Sequence, residues 1–433
     1  MAETWANWAG NQVCTPADIA RPVTDAELVR TVREAAAAGR AVKAVGAGHS
    51  FTDVACTDGV LVDLRSYNRV LDVDGDGRLV TVQAGISLHR LNAALAARGL
   101  ALENLGDIDR QSVAGAISTS THGTGGRLGG LATQVAALEL VTPDGAVVGC
   151  SEEVEPEIFR AAQVSLGALG VLSTVTLRCV PAFNLHAVEE VMSLDEVLER
   201  FDELESGNDH FELYWVPHTD LALTKRNNRT ERSVGGRRPG GALWQRTVME
   251  NVAFGALCRV GRAVPRAIPQ LNRLLAASGR RSYVERSDRV FTTPRHVHFV
   301  EMEYAIARHD LRAAMRRLVA LVDSSGLRVG FPVEVRTSAG DDIPLSTASG
   351  RPTAYIAVHV YRGVVYEQYF RAVEAIMTGL GGRPHWGKLH FRDAASLAPA
   401  YPRWQAWQVA RRRLDPGGVM ANAYTDRVLG PIG

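Results

Sequence analysis

The chain has 433 residues, of which 46% are hydrophobic and 22% are charged, and its formal net charge is +1. This length and composition predict a globular protein of two or three domains, and the balanced charge argues against nucleic acid or an anionic membrane as a partner. The five cysteines are scattered and form no Cys-x-x-Cys pair, which argues against a zinc ribbon or a disulfide scaffold and predicts a reducing, cytoplasmic location.

Short helices and strands alternate from the N-terminus to about residue 181, a pattern typical of an α+β domain. No signal peptide is predicted from residues 1–13, and no apolar run is long enough to predict a transmembrane segment. A helix is predicted to begin at Thr24 or Asp25 and to end at Gly39, and a strand then leads into a glycine turn. A second amphipathic helix ends at Gly99, and a hairpin and a further strand follow.

The next part of the chain is predicted to form one sheet with helices against it. Its clearest predicted strands are 299–306, 330–338 and 353–363, and its clearest predicted helices are 309–326 and 369–382. The charged stretch 224–241 contains arginine, glycine and proline, and it predicts an exposed loop, with an anion-binding loop as the alternative.

The segment 45–51, Val-Gly-Ala-Gly-His-Ser-Phe, follows a predicted strand, so a Rossmann nicotinamide site has to be considered. That fingerprint needs a third glycine where this chain has Phe51, and a helix that begins at the turn. Neither feature is present, which argues against a nicotinamide dehydrogenase. A turn whose backbone N–H groups cradle a pyrophosphate still fits, because such a turn needs small residues rather than one particular fold.

A second glycine-rich stretch, 106–126, is also rich in small hydroxyl residues. Such a stretch buries little apolar area and loses much backbone entropy on folding, so it makes a poor core. It suits a chain that lies against an extended ligand, with hydroxyl and N–H groups turned towards phosphate. The alternative is a glycine-rich loop without function, which a second such stretch in the same domain makes less attractive.

Five blocks in this order resemble the aldonolactone oxidases of the vanillyl-alcohol oxidase flavoprotein superfamily, a group that includes gulonolactone, arabinonolactone and galactonolactone enzymes and alditol oxidases. The blocks are NWAGN (7–11), VGAGHSFTDVACTDG (45–59), SVAGAISTSTHGTG (112–125), SLGALGV (165–171) and PHWGKLH (384–390). The resemblance implies an α+β fold with a two-subdomain FAD-binding domain and a cap domain in which helices cover an antiparallel sheet. The implied boundaries are 1–182 for the FAD-binding domain, 183–382 for the cap, and 383–433 for a segment that returns to the first domain.

The resemblance also implies that His49 is joined covalently to the C8 methyl group of FAD. Neutral imidazole is a nucleophile, and the neighbouring glycines allow close approach of a flavin, so the chemistry is compatible. The alternative is a polar histidine that only caps the loop. The other residues implied to contact the cofactor are Gly46, Ala47, Gly48, Ser50, Ser112, Gly115, Thr119, His122 and Gly123, with Val171 near the adenine.

Glu334 and Arg336 stand two apart on a predicted strand and therefore share one face. The pair matches the active-site Glu-x-Arg of the family, although a surface pair is the ordinary explanation for such spacing. The resemblance places Lys388 near the N1–C2 edge of the flavin, and it makes His359 either a substrate-site histidine or a buried structural one. His385 and His390 are poorly spaced for a metal, so no metal is expected.

The implied reaction is hydride transfer from a CH–OH group of a sugar lactone or polyol to flavin N5, at C2 of an aldono-1,4-lactone. Gly106 matches a position beside flavin C4a where alanine shields the ring from O2, so glycine predicts an oxidase that forms hydrogen peroxide. A dehydrogenase with another electron acceptor is the alternative. Asp107 replaces the serine of alditol oxidases, which favours a lactone over a simple alditol or a natural-product alcohol. A non-catalytic protein that keeps FAD only for structure is a further alternative. The presence of Glu334, Arg336 and Lys388 argues against it, because such a protein would not need them.

Overall fold

The computed structural model describes residues 3–235, 252–276 and 280–432, and its N-terminal part contains a small parallel sheet. The helix Asp25–Ala37 packs on this sheet through Leu28 and Val32. Thr24 and Glu27 form a capping box at its N-terminus, so the predicted start is confirmed. In spatial order the three strands are Asp18–Ala20, Val60–Asp63 and Val42–Val45.

A five-stranded antiparallel sheet forms the second layer of the N-terminal part. In spatial order its strands are Val147–Ser151, Val135–Val141, Val171–Arg178, Leu79–Gln83 and Val70–Val73. The helices that accompany it are Leu88–Ala96, Val113–Ser118 and Pro156–Gln163. Two small two-stranded sheets pair Trp5–Ala6 with Val13–Cys14 and Leu100–Ala101 with Val180–Pro181. Single turns of 3₁₀ helix lie at Leu64–Ser66 and Leu131–Gln134.

An eight-stranded sheet, antiparallel at every pairing, dominates the rest of the described chain. Its spatial order is Arg281–Arg286, Asn184–Ser193, Leu221–Thr230, His210–Trp215, Val333–Ser338, Thr353–Tyr361, Phe299–Ala307 and Arg383–Pro384. The accompanying helices are Leu194–Glu199, Phe201–Ser206, Phe254–Ala263, Ile268–Ala276, Ser287–Phe291, Leu311–Ser324 and Glu367–Thr378, with 3₁₀ turns at Pro265–Ala267 and Arg308–Asp310. The strands and helices predicted between 299 and 382 are confirmed.

The C-terminal helices pack against the N-terminal part of the chain. They are Ala394–Leu397, Trp404–Leu414 and Ala423–Leu429, with a 3₁₀ turn at Ala398–Ala400. The buried indole of Trp407 donates to the carbonyl oxygen of Ala161 at 3.1 Å, and the buried Lys43 ammonium donates to that of Met420 at 3.0 Å. The C-terminal helices therefore belong to the core of the N-terminal part.

The prediction of a loop at 224–241 is wrong for its first seven residues, because they belong to the strand Leu221–Thr230. Local composition suggested a loop, but neighbouring strands supply carboxylates for the charged side chains. Lys225 Nζ lies 3.2 Å from Glu212 Oε1, and Arg226 pairs with Glu190. Residues 236–241 of the predicted loop lie outside the described residues.

Among the residues that the structure describes, no helix combines the length and the apolar character needed to cross a bilayer.

Candidate active site

The candidate site consists of two connected cavities: a long cleft within the N-terminal part of the chain, and a polar pocket between that part and the large sheet. The long cleft is bounded by the two glycine-rich stretches and by residues 165–172. The polar pocket is lined by ionisable side chains from the large sheet and from residues 385–388. The two cavities share His49, Ser50, Gln111 and Thr119 in their walls, so a ligand of the long cleft reaches the polar pocket at His49.

The first glycine turn is built to bring backbone close to a ligand. Gly48 has φ of +68°, which favours glycine, and a Cβ on Gly46 would lie 2.0 Å from Ser112 Oγ. Among the described residues, the N–H groups of Gly46, Ala47 and Gly48 donate to no acceptor. They are available to an anion in the long cleft.

Most of the predicted cofactor-binding residues line the long cleft together, and three do not. Those in its wall are Gly46, Ala47, Gly48, His49, Ser50, Ser112, Gly115 and Thr119. His122 lines the polar pocket instead. Gly123 and Val171 line neither cavity. A Cβ on Gly123 would lie 2.3 Å from Asn104 Oδ1, so close packing requires this glycine, and Val171 belongs to the core while its neighbours Gly170 and Leu172 face the cleft.

His49 is held as a neutral imidazole. Burial, and then the positive charges of Lys388 and Arg110, lower the pKa of His49 to about 4. The ring of Trp8 lies beside it, with ring centroids 5.5 Å apart. At neutral pH the imidazole therefore keeps a lone pair with which it can act as a nucleophile.

Glu334 and Arg336 lie side by side in the polar pocket, each only 6% exposed. Their charged groups are 2.5 Å apart, and the Tyr214 hydroxyl donates to Glu334 at 2.6 Å. Burial raises the pKa of Glu334; Arg336 opposes this, but Asp107 and Glu212 add to it, so the pKa stays above its ordinary value. A buried carboxylate of this kind is a candidate proton acceptor.

Arg336 is the centre of a buried ionic cluster. Besides Glu334, its guanidinium lies 2.9 Å from Glu212 Oε2 and 3.8 Å from Asp107 Oδ1. Arg295 pairs with Asp107 from a different segment. Burial disfavours the charge of Arg336, but Glu334 and Glu212 outweigh burial and hold the pKa of Arg336 well above its usual value. The guanidinium is therefore a permanent cation.

Glu212, Tyr214 and Arg295 were not predicted as site residues. Tyr214 stands opposite Glu334 in the sheet register, and Glu212 stands two residues before it on the same strand. Both therefore lie on the face of the sheet that carries Glu334 and Arg336, and they contact these two side chains. The strand pattern of 210–215 was the available signal, but only the pairing of the strands shows which face meets Glu334. The segment around Arg295 has no periodic pattern.

Lys388 forms the opposite wall of the polar pocket, where it contacts Glu301. Burial lowers the pKa of Lys388, but the carboxylates of Glu301 and Glu303 outweigh burial and raise it. His359 lines the same pocket, with Nε2 3.4 Å from Glu301 Oε1. A second fixed cation thus faces the pocket, held by a buried carboxylate.

His385 lies with His122 and Glu303, and ligand-type atoms of these three residues fall within 4.8 Å of one another. His122 Nε2 donates to Glu303 at 2.9 Å, and His385 Nδ1 accepts from the N–H of Gly387 at 3.1 Å. His390, the other histidine considered for a metal, pairs with Tyr424 instead. Hydrogen bonds within the protein explain the trio, and the expectation of no metal stays a prediction.

Gly106 lies in the wall of the polar pocket. A Cβ on Gly106 would lie 3.2 Å from both the carbonyl oxygen of His122 and Thr121 Cγ2, and its φ is not in the left-handed region. An alanine therefore fits after a shift of a few tenths of an ångström, which makes Gly106→Ala a usable test of access to the pocket.

Known families match almost the whole chain. Residues 16–151 match the FAD binding domain family, and residues 175–428 match the D-arabinono-1,4-lactone oxidase family. The second match alone covers more than half of the chain.

Relatives and solved structures agree with these matches. The chain is 50% identical to L-gulono-1,4-lactone dehydrogenase of Mycobacterium tuberculosis, over 100% of both chains. It is 36% identical to L-gulonolactone oxidase of Scyliorhinus torazame, over 99% of this chain and 98% of the relative. A solvent-stable cholesterol oxidase shares the fold, with a TM-score of 0.82 over 98% of this chain and 97% of that one, at 18% identity. The chain therefore belongs to the aldonolactone oxidase family of FAD-dependent oxidoreductases, with the vanillyl-alcohol oxidase type of fold.

Proposed function

We propose that FAD lies along the long cleft and is joined covalently to His49. The residues present fit this cofactor, because free N–H donors and glycines line the cleft, and because His49 stands where the cleft meets the polar pocket. The low pKa of His49, about 4, supports its role as the nucleophile. Bound FAD would supply a two-electron hydride acceptor.

Replacing His49 by alanine should abolish covalent attachment. We expect the wild-type chain to remain yellow after denaturation and gel filtration, and the His49→Ala chain to lose its colour completely. Absorbance and intact mass measure the effect. The variant His89→Ala, which changes an exposed histidine, is the control. A wild-type chain that releases its flavin on denaturation would contradict the proposed bond.

We propose that the polar pocket binds an aldono-1,4-lactone and oxidises its C2 hydroxyl group. Glu334, with its raised pKa, would accept the hydroxyl proton, and Arg336 would orient the polyol oxygens. Lys388 would place a fixed positive charge near the cofactor, where negative charge develops. The observation that carries this proposal is the meeting of these three side chains in one buried pocket that begins at His49.

Asp107 supports a lactone substrate over a simple alditol. The resemblance places a serine hydroxyl here in alditol oxidases, and Asp107 instead carries an ion pair with Arg295. This difference from the alditol oxidases is the support for a lactone at this site. Anaerobic bleaching of the flavin by gulono-, galactono- and arabinono-1,4-lactone, with xylitol as the comparison, tests the substrate class directly.

We propose O2 as the electron acceptor because Gly106 leaves the pocket wall without a side chain at that point. The second candidate is a dehydrogenase that uses another acceptor, which the name of the relative at 50% identity favours. The fold determines neither which lactone is the substrate nor which acceptor is the physiological one.

The variant Gly106→Ala distinguishes the two acceptors. If O2 reaches the flavin past Gly106, the methyl group should slow O2 consumption by about tenfold, which corresponds to about 1.4 kcal/mol of barrier. Turnover with an artificial dye acceptor should stay unchanged, because the lactone still reduces the flavin. The measurement is O2 uptake against dye reduction at one lactone concentration. Equal O2 uptake by the variant and the parent would contradict the proposed path.

We also propose the division into 1–182, 183–382 and 383–433. Its support is that Trp407 and Tyr424 share a hydrophobic cluster with Val82, whereas Met302 and Leu318 belong to another. A cytoplasmic location is proposed from the five cysteines, all of which are free thiols.

A further inference from the structure

A basic patch lies at the edge of the large sheet, outside the polar pocket. It is a surface pocket whose charged residues are Arg259, Arg262 and Arg362, with His296 and His298 beside them. The three arginines are exposed. Among the described residues, none of the three forms an ion pair with a carboxylate. Three positive charges gathered without counter-charges suit an anionic partner, since the chain as a whole is nearly neutral.

Neighbouring aromatic rings connect the basic patch to His49. The rings of His298 and Trp8 are stacked, with centroids 4.6 Å apart and an angle of 18° between their planes. Trp8 in turn lies against His49, with centroids 5.5 Å apart and an angle of 30°. His298 belongs to the wall of the basic patch, and His49 belongs to the wall of the long cleft. Three π systems therefore span the distance between the surface and the proposed flavin attachment point.

The backbone holds this stack in place. Phe299 and Tyr361 are paired at the end of two neighbouring strands. Just beyond this pair, the N–H of Arg362 donates to the carbonyl oxygen of His298 at 3.1 Å. The His298 ring donates from Nδ1 to the carbonyl oxygen of Trp8 at 3.0 Å. The Trp8 N–H donates to the carbonyl oxygen of Gly48 at 2.8 Å. The His298 ring is thus tied to the backbone of Trp8, and that backbone is tied to the residue before His49.

We propose that the basic patch docks an acidic electron-carrier protein, which receives electrons from reduced FAD through His49, Trp8 and His298. This inference rests on the proposed attachment of FAD to His49, and it gives the reduced flavin a second electron acceptor besides the O2 that we propose to enter past Gly106. Reduced FAD, formed by hydride transfer from the lactone, returns to the oxidised form by giving up two electrons and one proton. Two one-electron carriers are each reduced once, and the proton passes to solvent. Electron tunnelling weakens steeply with distance, so adjacent aromatic rings provide a faster exit than saturated side chains.

The docking part is tested by the binding of hexacyanocobaltate, a redox-inert trivalent anion that serves as the probe of the patch. Calorimetry at low ionic strength should detect binding to the wild-type flavoprotein, and binding should weaken as salt is added. The double variant Arg259→Gln/Arg362→Gln should lose at least about tenfold in affinity, about 1.4 kcal/mol. The control Arg316→Gln/Arg317→Gln removes two exposed arginines from a different helix and should bind as the wild type does. Equal binding by both double variants would overturn the proposal.

The exit through the stack is tested by re-oxidation of the lactone-reduced enzyme with ferricyanide in a stopped-flow instrument. His298→Leu removes the ring and should slow re-oxidation by about tenfold or more, whereas His298→Phe keeps a stacked ring and should stay near the wild-type rate. Re-oxidation of His298→Leu at the wild-type rate would overturn the exit, and so would slow re-oxidation of both variants to the same extent. Anaerobic flavin bleaching by the lactone is recorded separately in each protein. Its absence from the wild type would contradict the proposed function, whereas its presence with unchanged re-oxidation would contradict this inference alone.

Discussion

Replacement of Glu334 by glutamine should lower kcat by about 10²–10⁴-fold, while the protein keeps its flavin. Glutamine has the same shape and can still accept the hydrogen bond that the Tyr214 hydroxyl gives to Glu334. It cannot accept the proton of the substrate hydroxyl group. The loss should therefore fall on the anaerobic rate of flavin bleaching by the lactone and leave the absorbance spectrum of the resting enzyme unchanged.

The pH dependence provides an independent test of the same role. Burial and the neighbouring carboxylates raise the pKa of Glu334 above its ordinary value of 4.5. As pH falls through this raised pKa, Glu334 takes up a proton and can no longer accept one, so the wild-type bleaching rate should fall on the acid side. The Glu334→Gln variant should lack this acid limb. Glu231→Gln, which changes an exposed residue, should keep both the rate and the limb. Full activity in Glu334→Gln would exclude the residue as the base.

Arg336→Met should cause the largest loss of stability, about 3–5 kcal/mol in the free energy of unfolding, because removal of one partner leaves buried charges uncompensated. The guanidinium lies among Glu334, Glu212 and Asp107, whose mutual repulsion it offsets. Urea denaturation followed by tryptophan fluorescence measures the effect.

The deficit of Arg336→Met should shrink as pH falls, since the unpaired carboxylates then take up protons. Arg336→Lys keeps a positive charge and should lose less. The matched control is Arg200→Met, which breaks ion pairs with Glu196 and Glu203 on the surface and should change stability little. A stability of Arg336→Met equal to that of this control would show that the cluster does not depend on its arginine.

Site residues that lie within one short motif could be predicted from the sequence. Site residues that meet only because distant strands pair could not. The glycine turn around His49 and the Glu-x-Arg pair are each contained within a few residues, so both could be recognised as local motifs once the family resemblance was seen. Asp107 and Arg295 are 188 residues apart, and no local pattern relates them. The segment 224–230 was taken for a loop because its charges look solvated in isolation. The segment can form a strand because Glu212 and Glu190, on neighbouring strands, pair with its charged side chains.

The fold shows the same division between local and long-range information. The periodicity of apolar residues predicted the helices and strands between 299 and 382, because this signal acts within one element. The order of the eight strands follows from contacts between distant segments, and Val333–Ser338 lies between His210–Trp215 and Thr353–Tyr361. That order decides which side chains surround Arg336, and it is fixed only when the whole sheet forms.

The N–H of Phe51 donates to the carbonyl oxygen of Gly387 at 2.7 Å, so the histidine loop is fastened to a segment that is synthesised much later than the loop itself. Lys388, in that segment, is one of the charges that keep His49 unprotonated. A nascent polypeptide still missing everything after Arg383 thus carries the imidazole without its activating surroundings. If FAD is joined to His49 as proposed, coupling should require the segment after Arg383, and a chain truncated at that residue should be colourless.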